Sequence, residues 1–156
     1  MRTPHLDRLH AESLRFTDFQ VSPTCAPTRA SLMTGRHEFK CGVTHTVLER
    51  ERLSPTATTI AQLLKSAGYA TGIFGKWHLG FKDEFNPTKH GFDEYFGELL
   101  GHSDYYTHSY YDGTYALRDG MKPVKVEGYL TDLINRRAVE FVRKHAKEPF
   151  FLYVPH

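Results

Sequence analysis

The apolar pattern of the first 35 residues predicts a helix, a strand and a second helix. Leucines recur at helical spacing over residues 3–14, directly after a Thr-Pro pair that is typical of a helix start. Residues 15–21 alternate apolar and polar side chains and predict a short strand. Residues 27–35 begin with proline, keep helical spacing and end with glycine. Cys25 is therefore expected at a turn between a strand and a helix.

The middle of the chain alternates a helix, a strand and polar loops. Residues 58–67 have the apolar spacing of a helix, and residues 69–74 predict a strand. Residues 75–80 begin and end with glycine at the carboxyl end of that strand, where open α/β sheets usually carry ligand-binding groups. Residues 81–126 have little periodicity, so we expect long loops with a short hairpin.

The last part of the chain predicts a long helix followed by a strand. Thr131 is expected to cap the helix. Residues 150–154 are an apolar run, typical of a strand that is covered on both faces. Because helices and strands alternate, the predicted class is α/β with a largely parallel sheet flanked by helices. The buried face of the helix is expected to consist of Leu133, Ile134, Ala138, Phe141 and Val142.

Composition narrows the class of protein. With 40% hydrophobic and 24% charged residues, the chain is expected to fold around one core rather than to be disordered or membrane-embedded. The 20 basic and 18 acidic side chains are dispersed, which gives no reason to expect a nucleic-acid partner. No apolar run predicts a membrane span or a secretory signal. Cys25 and Cys41 leave the redox compartment open, and we interpret Cys41 as structural.

Two sequence motifs carry the candidate chemistry. Residues 25–36 read CAPTRASLMTGR and resemble the first sulfatase signature, while residues 68–80 read GYATGIFGKWHLG and resemble the second. Two long matches in this order are very improbable by chance. The flanking segments also resemble arylsulfatases and sugar sulfatases, so the resemblance to formylglycine-dependent sulfatases covers nearly the whole chain.

The resemblance implies a fold and a partial domain. Residues 1–156 are expected to be the N-terminal portion of an alkaline-phosphatase-like sulfatase catalytic domain, truncated at both ends, without its first strand and C-terminal part. Missing strands are expected to leave apolar surface exposed, and hence poor solubility when this segment is expressed alone. Members of the family are mostly periplasmic, secreted or lysosomal, although the chain itself does not define a compartment.

The resemblance also implies the cofactors and partners. Cys25 is expected to be converted to formylglycine by a formylglycine-generating enzyme. A calcium ion is expected to bind the modified Cys25 side chain, with its other ligands outside this chain. The expected substrate is an aryl or sugar sulfate ester.

Four residues of the two motifs are candidates for catalysis. Arg29 lies about one helical turn after Cys25 and is expected to orient and stabilise it. Lys76 and His78 are two residues apart on a loop or extended segment, where alternate side chains point the same way, so both can face a sulfate group. Lys76 is expected to neutralise sulfate oxygens, and His78 to bind the sulfate or the modified side chain and to assist proton transfer.

Two further histidines lie outside the motifs. His102, in a Gly-His-Ser-Asp loop, corresponds to a position that often faces substrate in the family, and is a candidate substrate-binding residue. His156 follows the last predicted strand, although the family's sulfate-binding histidine usually falls a few residues later.

Alternative interpretations stay open for several residues. Considered singly, Cys25 would be a buried thiol and the other motif residues surface or loop positions, and only the two motifs together favour catalysis. We interpret His90, His108 and Asp104 as surface or loop residues and Trp77 as a packing residue. Four tyrosines either line a sugar or aryl pocket or pack on their own domain: Tyr105, Tyr106, Tyr110 and Tyr111.

Two other functions stay open beside sulfate ester hydrolysis. Related sites in the same superfamily bind other tetrahedral anions, which leaves a phosphomonoester or phosphonate hydrolase. A non-catalytic truncated fragment with an interaction role is the third hypothesis, and this fragment alone is expected to be inactive.

Overall fold

The computed structural model describes residues 2–156, in which five strands form one mixed sheet in the order β4-β3-β2-β1-β5. Strand β1 is parallel to β2 and β5, whereas β3 is antiparallel to β2 and β4. Three short 3-10 helices span Glu38–Cys41, Asp83–Phe85 and Pro87–His90. The helices and strands are α1 (Pro4–Glu12), α2 (Cys25–Thr34), α3 (Ile60–Ser66), β1 (Ala70–Phe74), β2 (Glu94–Glu98), β3 (Leu117–Asp119), β4 (Lys122–Pro123), α4 (Leu130–Lys144) and β5 (Phe150–Tyr153).

Each face of the sheet has its own apolar core. Because successive strand residues point to opposite faces, Ile73 of β1 packs on the side of α2 and α3, and Phe74 on the side of α4. The rings of Phe74 and Phe141 meet edge to face with centroids 5.6 Å apart. Gly72 of β1 leaves room for the same Phe141 ring, which a Cβ would overlap. The α/β class predicted from the sequence is therefore observed.

Several element boundaries confirm the sequence analysis. Helix α1 follows Thr3, and α2 ends at Gly35, which adopts the left-handed conformation with φ of 64°. Helix α3 begins after Thr59, whose hydroxyl accepts a hydrogen bond from the backbone N–H of Gln62 in a capping box. The loop 75–80 follows β1 as predicted.

The strand predicted over residues 15–21 is wrong. The structure shows an irregular segment there, and Phe16 and Phe19 are both 72% exposed. No strand among the described residues pairs with this segment, so its backbone lacks the hydrogen-bonded neighbour that a strand requires. Leu6 and Leu9 of α1 are exposed as well, which agrees with the expected exposed apolar surface. Poor solubility of the isolated segment stays a prediction.

The C-terminal helix differs from the prediction in detail, whereas the strand after it agrees with the prediction. Helix α4 follows Tyr129 rather than Thr131, and no side chain caps its first turn. Val142 is 38% exposed and lies outside the buried face. Strand β5 lies at the edge of the sheet within residues 2–156 and is half-buried. Its side chains pack on both faces, as predicted, because Phe151 and Tyr153 contact the core on the side of α2 and α3, and Phe150 and Leu152 the core on the side of α4.

Strand β2 lies inside the segment that was expected to form only long loops and a hairpin. Its five residues begin and end with glutamate and contain a glycine, which gives a weak apolar signal. The short hairpin is present as β3 and β4. No helix within residues 2–156 has both the length and the apolar character that a bilayer span requires.

The carboxyl ends of the parallel strands hold the loop 75–80 in place. The backbone N–H of Gly75 donates to the carbonyl of Phe96, and that of Lys76 donates to the carbonyl of Pro155, each at 2.8 Å. Gly75 has φ of 127°, and a Cβ on it would overlap the Pro155 carbonyl. The loop is therefore fixed between β2 and the residues that follow β5.

Candidate active site

Cys25 is the first residue of α2, and an irregular segment rather than a strand precedes it. This corrects the predicted turn between a strand and a helix. The side chain lies at the helix N-terminus, where free backbone N–H groups favour negative charge. Thr28, one turn later, donates its hydroxyl to the carbonyl of Ser22 at 2.7 Å and fixes the approach to the helix.

Glu38 anchors the same region, although the sequence analysis did not single it out. Its carboxylate accepts hydrogen bonds from Ser22 at 2.5 Å and from Ser31 of α2 at 2.8 Å. The Ser22 hydrogen bond is the main reason that the pKa of Glu38 is lowered to about 2. The carboxylate is thus ionised at neutral pH and connects the segment before Cys25 to the helix after it.

The sulfur of Cys25 contacts side chains from two distant parts of the chain. Its Sγ lies 3.0 Å from Nδ1 of His78 and 2.8 Å from Oγ1 of Thr46. Although burial alone would raise it, the pKa of the Cys25 thiol is lowered, because of the Thr46 hydrogen bond and the positive charge of Lys76. Cys25 and Cys41 are both free thiols. The surroundings of Cys25 therefore favour a negatively charged or hydroxylic group at this position.

His78 is held in an uncommon backbone conformation. Its φ is 56°, its side chain is buried, and its backbone N–H donates to the carbonyl of Leu99 at 3.1 Å. Gly101 lies against the imidazole so closely that a Cβ would overlap the ring. The segment is not regularly extended, so the reason given above for a common orientation of Lys76 and His78 is wrong, although both residues do reach the surroundings of Cys25.

Burial is the main reason that the pKa of His78 is lowered to about 4, and the positive charges of Lys76 and Arg29 lower it further. The imidazole is therefore neutral at neutral pH. It can accept a proton from a group at the position of Sγ.

The lowered pKa of His78 predicts acid destabilisation. The unfolded chain binds a proton at His78 near pH 6.5 and the folded protein only near pH 4, so stability is lost as the pH falls through this window. A His78→Asn variant, which tolerates the positive φ, is expected to show a flatter dependence of the thermal midpoint on pH. The exposed His45→Asn is the matched control. Equal acid destabilisation of all three proteins would contradict the assignment.

Arg29 connects α2 to the loop 75–80 and to β5. Its Nη1 donates to the carbonyl of Lys76 at 2.7 Å and to the hydroxyl of Tyr153 at 3.3 Å. Within residues 2–156, it makes no hydrogen bond to the Cys25 side chain. Its expected role in orienting and stabilising Cys25 stays a prediction. A planar guanidinium suits this position between two elements better than an ammonium group does.

Two cavities meet near Cys25. The larger, of about 510 Å³, is lined by Cys25, Thr46, His78 and His102, with apolar walls from Val47, Leu48, Phe81 and Leu100. The smaller, of about 170 Å³, is lined by residues that include Lys76, Glu98, His102 and His156. His102 lies at both cavities, which fits the predicted substrate-facing position. His156 is exposed beside Lys76, so the structure places both predicted histidines near the candidate site.

Glu98 is a second residue that the sequence analysis missed. It is 7% exposed, and none of the described residues hydrogen-bonds its Oε2. Burial raises the pKa of the carboxyl, and the nearby Lys76 and His102 oppose this only in part. No pattern marks Glu98, because it ends a strand that the sequence did not predict.

Several other residues have structural positions. His90 and His108 are buried rather than at the surface. His108 lies in a loop, which is one of the two expected alternatives, whereas His90 ends a 3-10 helix. His108 lies 3.1 Å from the Tyr115 hydroxyl, and the indole of Trp77 donates to the carbonyl of Phe85 at 2.7 Å, as expected for a packing residue. Within the described range, no three His, Cys, Asp or Glu side chains converge as a metal site would require.

Comparisons with known proteins identify relatives over the whole chain. The sulfatase family model matches residues 1–155. Arylsulfatase J of Mus musculus is 34% identical, over 100% of this chain and 28% of that protein. N-acetylgalactosamine-6-sulfatase of Homo sapiens is 36% identical, over 97% of this chain and 33% of that protein.

A solved structure gives the same result at the level of the fold. The structure of BT4656 in complex with its substrate D-glucosamine-2-N,6-O-disulfate superposes with a TM-score of 0.78 at 28% identity, covering 100% of this chain and 30% of that one. The chain thus spans about a third of the length of the relatives that it matches.

Proposed function

The chain belongs to the sulfatase family, and we propose that the complete protein hydrolyses organic sulfate esters through a formylglycine made from Cys25. The fold is alkaline-phosphatase-like. In this proposal, residues 1–156 are part of the catalytic domain. The observation that carries it is the convergence of the two motifs, since Sγ of Cys25 lies 3.0 Å from Nδ1 of His78, 53 residues away.

The residues around Cys25 suit this modification. Formylglycine, once formed and hydrated, supplies one hydroxyl as the nucleophile and a second whose proton loss allows sulfate to leave. The Cys25 side chain faces a cavity of about 510 Å³, which gives room for a sulfate ester. Thr46 and His78 are hydrogen-bonding partners already in place at the position of Sγ. An oxygen at this position would find a donor and an acceptor.

Three basic side chains have separate tasks in the proposal. Neutral His78 accepts a proton at Nδ1 from the hydroxyl group next to it. Lys76 carries the positive charge that attracts the sulfate oxygens, as its effect on Cys25 and His78 indicates. Arg29 holds the carbonyl of Lys76 and so fixes the loop that carries both residues.

The proposal also names a metal and partners. Calcium would bind the modified Cys25 side chain, but no cluster of three suitable ligands exists among residues 2–156, so further oxygen ligands would have to come from elsewhere. A formylglycine-generating enzyme is the required partner for Cys25. The substrate is an aryl or sugar sulfate, with His102 at the cavity for its leaving group.

The test uses the complete gene product from cells that make formylglycine. The mass of the Cys25 peptide is expected to change from that of a thiol to that of an aldehyde. Hydrolysis of 4-nitrophenyl sulfate is expected to exceed that of 4-nitrophenyl phosphate. An unmodified Cys25 from competent cells would contradict the mechanism, and faster phosphate hydrolysis would favour the phosphohydrolase alternative.

A further inference from the structure

Thr46 makes the shortest hydrogen-bonding contact of the Cys25 sulfur. Its Oγ1 lies 2.8 Å from Sγ, against 3.0 Å for Nδ1 of His78. Thr46 lies outside both sequence motifs, in a segment that predicted only irregular structure. The two motifs therefore do not explain the contact between Thr46 and Cys25, and its cause lies in the structure of the loop around Thr46.

The loop around Thr46 is closed by backbone hydrogen bonds. The backbone N–H groups of Thr44 and His45 both donate to the carbonyl of Arg50, at 3.0 and 3.4 Å. The N–H of Arg50 donates back to the carbonyl of Val47 at 3.3 Å. These bonds place Thr46 inside a small closed loop, so its hydroxyl is held in position rather than left on a free chain.

The tip of this loop has a strained backbone, and a hydrogen bond connects the loop to the one that carries His78. Leu48 and Glu49, at the tip of this loop, both have positive φ, at 61° and 63°. Left-handed residues other than glycine are unfavourable and persist where the surroundings enforce them, often at functional sites. The backbone N–H of Leu53 donates to the carbonyl of Leu79 at 3.1 Å and connects this loop to the one that carries His78.

Thr46 also approaches His78 itself. An interaction between the imidazole and the backbone of Thr46 opposes the fall in the pKa of His78 that burial causes. The Thr46 hydroxyl thus contacts Sγ of Cys25 at 2.8 Å, while its backbone acts on the pKa of His78. A hydroxyl both donates and accepts, so it suits a thiolate as well as a hydroxyl group at this position.

We propose that Thr46 is a further catalytic residue, whose hydroxyl holds the reacting atom of residue 25 in the orientation that faces His78. This inference rests on the proposed sulfatase function for its kinetic consequence. The contact itself is a property of this chain. It requires no additional reactant, because Thr46 orients the side chain and exchanges no electrons with it.

The kinetic test compares Thr46→Val with Thr46→Ser in the complete gene product. Valine keeps the shape of threonine and removes the hydroxyl, so kcat for 4-nitrophenyl sulfate is expected to fall about 10-fold to 100-fold with little change in KM. Serine is expected to restore most of the rate. Formylglycine content is measured by peptide mass spectrometry, and rates are compared per modified protein.

A second readout does not depend on sulfate ester hydrolysis. In protein made without the modifying enzyme, the Cys25 thiol is alkylated by iodoacetamide at fixed pH, with the buried Cys41 in the same digest as the internal reference. Thr46→Val is expected to slow alkylation of Cys25 several-fold, because the thiolate loses a hydrogen-bond donor, and Thr46→Ser to restore it.

The two readouts separate the two proposals. A wild-type protein that hydrolyses no sulfate ester would contradict the proposed function, whereas the alkylation comparison would still test Thr46. An unchanged kcat and an unchanged alkylation rate in Thr46→Val would overturn the role of Thr46. So would a Thr46→Ser variant as impaired as Thr46→Val, since that result indicates packing of the methyl group.

Discussion

A Cys25→Ala variant of the complete protein is expected to lose about 10⁴-fold or more of its turnover of 4-nitrophenyl sulfate. In the proposed mechanism, alanine removes the thiol that would be oxidised, and with it the group to which the sulfuryl moiety would transfer. Thr46 and His78 would then face an empty position instead of the Sγ that they contact at 2.8 and 3.0 Å. The remaining cavity and charges are expected still to bind the ester, so kcat is expected to fall far more than the affinity for substrate.

Two further variants make this experiment specific. Cys41→Ala removes the other free thiol, which lies in the core next to Thr34 and away from the candidate site, and is expected to keep turnover. Cys25→Ser supplies one hydroxyl but not two, so it is expected to accept one sulfuryl group and to keep it, which mass spectrometry of the intact protein detects. Full turnover by the Cys25→Ala variant would contradict the proposed mechanism.

The two motifs predict candidate catalytic residues, but not the way in which these residues meet. Sequence order places Cys25 and His78 in separate motifs, and the packing of α2 on one face of the sheet brings the start of that helix beside the loop after β1. The motifs therefore predict which residues matter. The hydrogen bond from Arg29 to the carbonyl of Lys76 could not be predicted, because it joins a side chain to a backbone group that no pattern marks.

Residues outside the motifs show the limits of sequence patterns more clearly. Thr46 lies in an irregular loop whose position depends on hydrogen bonds to Arg50 and on two left-handed residues, and neither leaves a periodic signal. Glu98 was missed because β2 is short and begins and ends with charged residues. A buried glutamate at the end of a strand has the same sequence appearance as an exposed one.

The incorrect prediction of a strand over residues 15–21 has a related cause. The alternation of apolar and polar residues predicts which side chains of a strand would face the core, but a strand also needs a neighbouring strand for its backbone hydrogen bonds. Phe16 and Phe19 satisfy the pattern and have no such neighbour among the described residues. Helix α2, by contrast, satisfies its backbone locally, so its end at Gly35 was predicted correctly.

A Lys76→Met variant is expected to lower kcat/KM for 4-nitrophenyl sulfate by about 10²-fold to 10³-fold. Methionine keeps much of the length of lysine and removes the charge that draws the sulfate group toward Cys25. The same charge acts on both neighbours, since it lowers the pKa of the Cys25 thiol and of His78. The His78 imidazole is therefore expected to titrate above its value of about 4 in the variant, which NMR of the ring protons measures without any substrate.

Lys82→Met is the matched control, because Lys82 is exposed in the segment that follows the loop 75–80 and lines neither cavity near Cys25. It removes the same charge from the protein as a whole, so a loss common to both variants would indicate long-range attraction of the anionic substrate rather than a local contact. A Lys76→Met protein with wild-type kcat/KM and an unchanged His78 titration would show that this ammonium group does not act on the reacting atoms. A loss of activity together with a raised pKa of His78 would show that the Lys76 charge acts on both the imidazole and the sulfate group, as the proposed function requires.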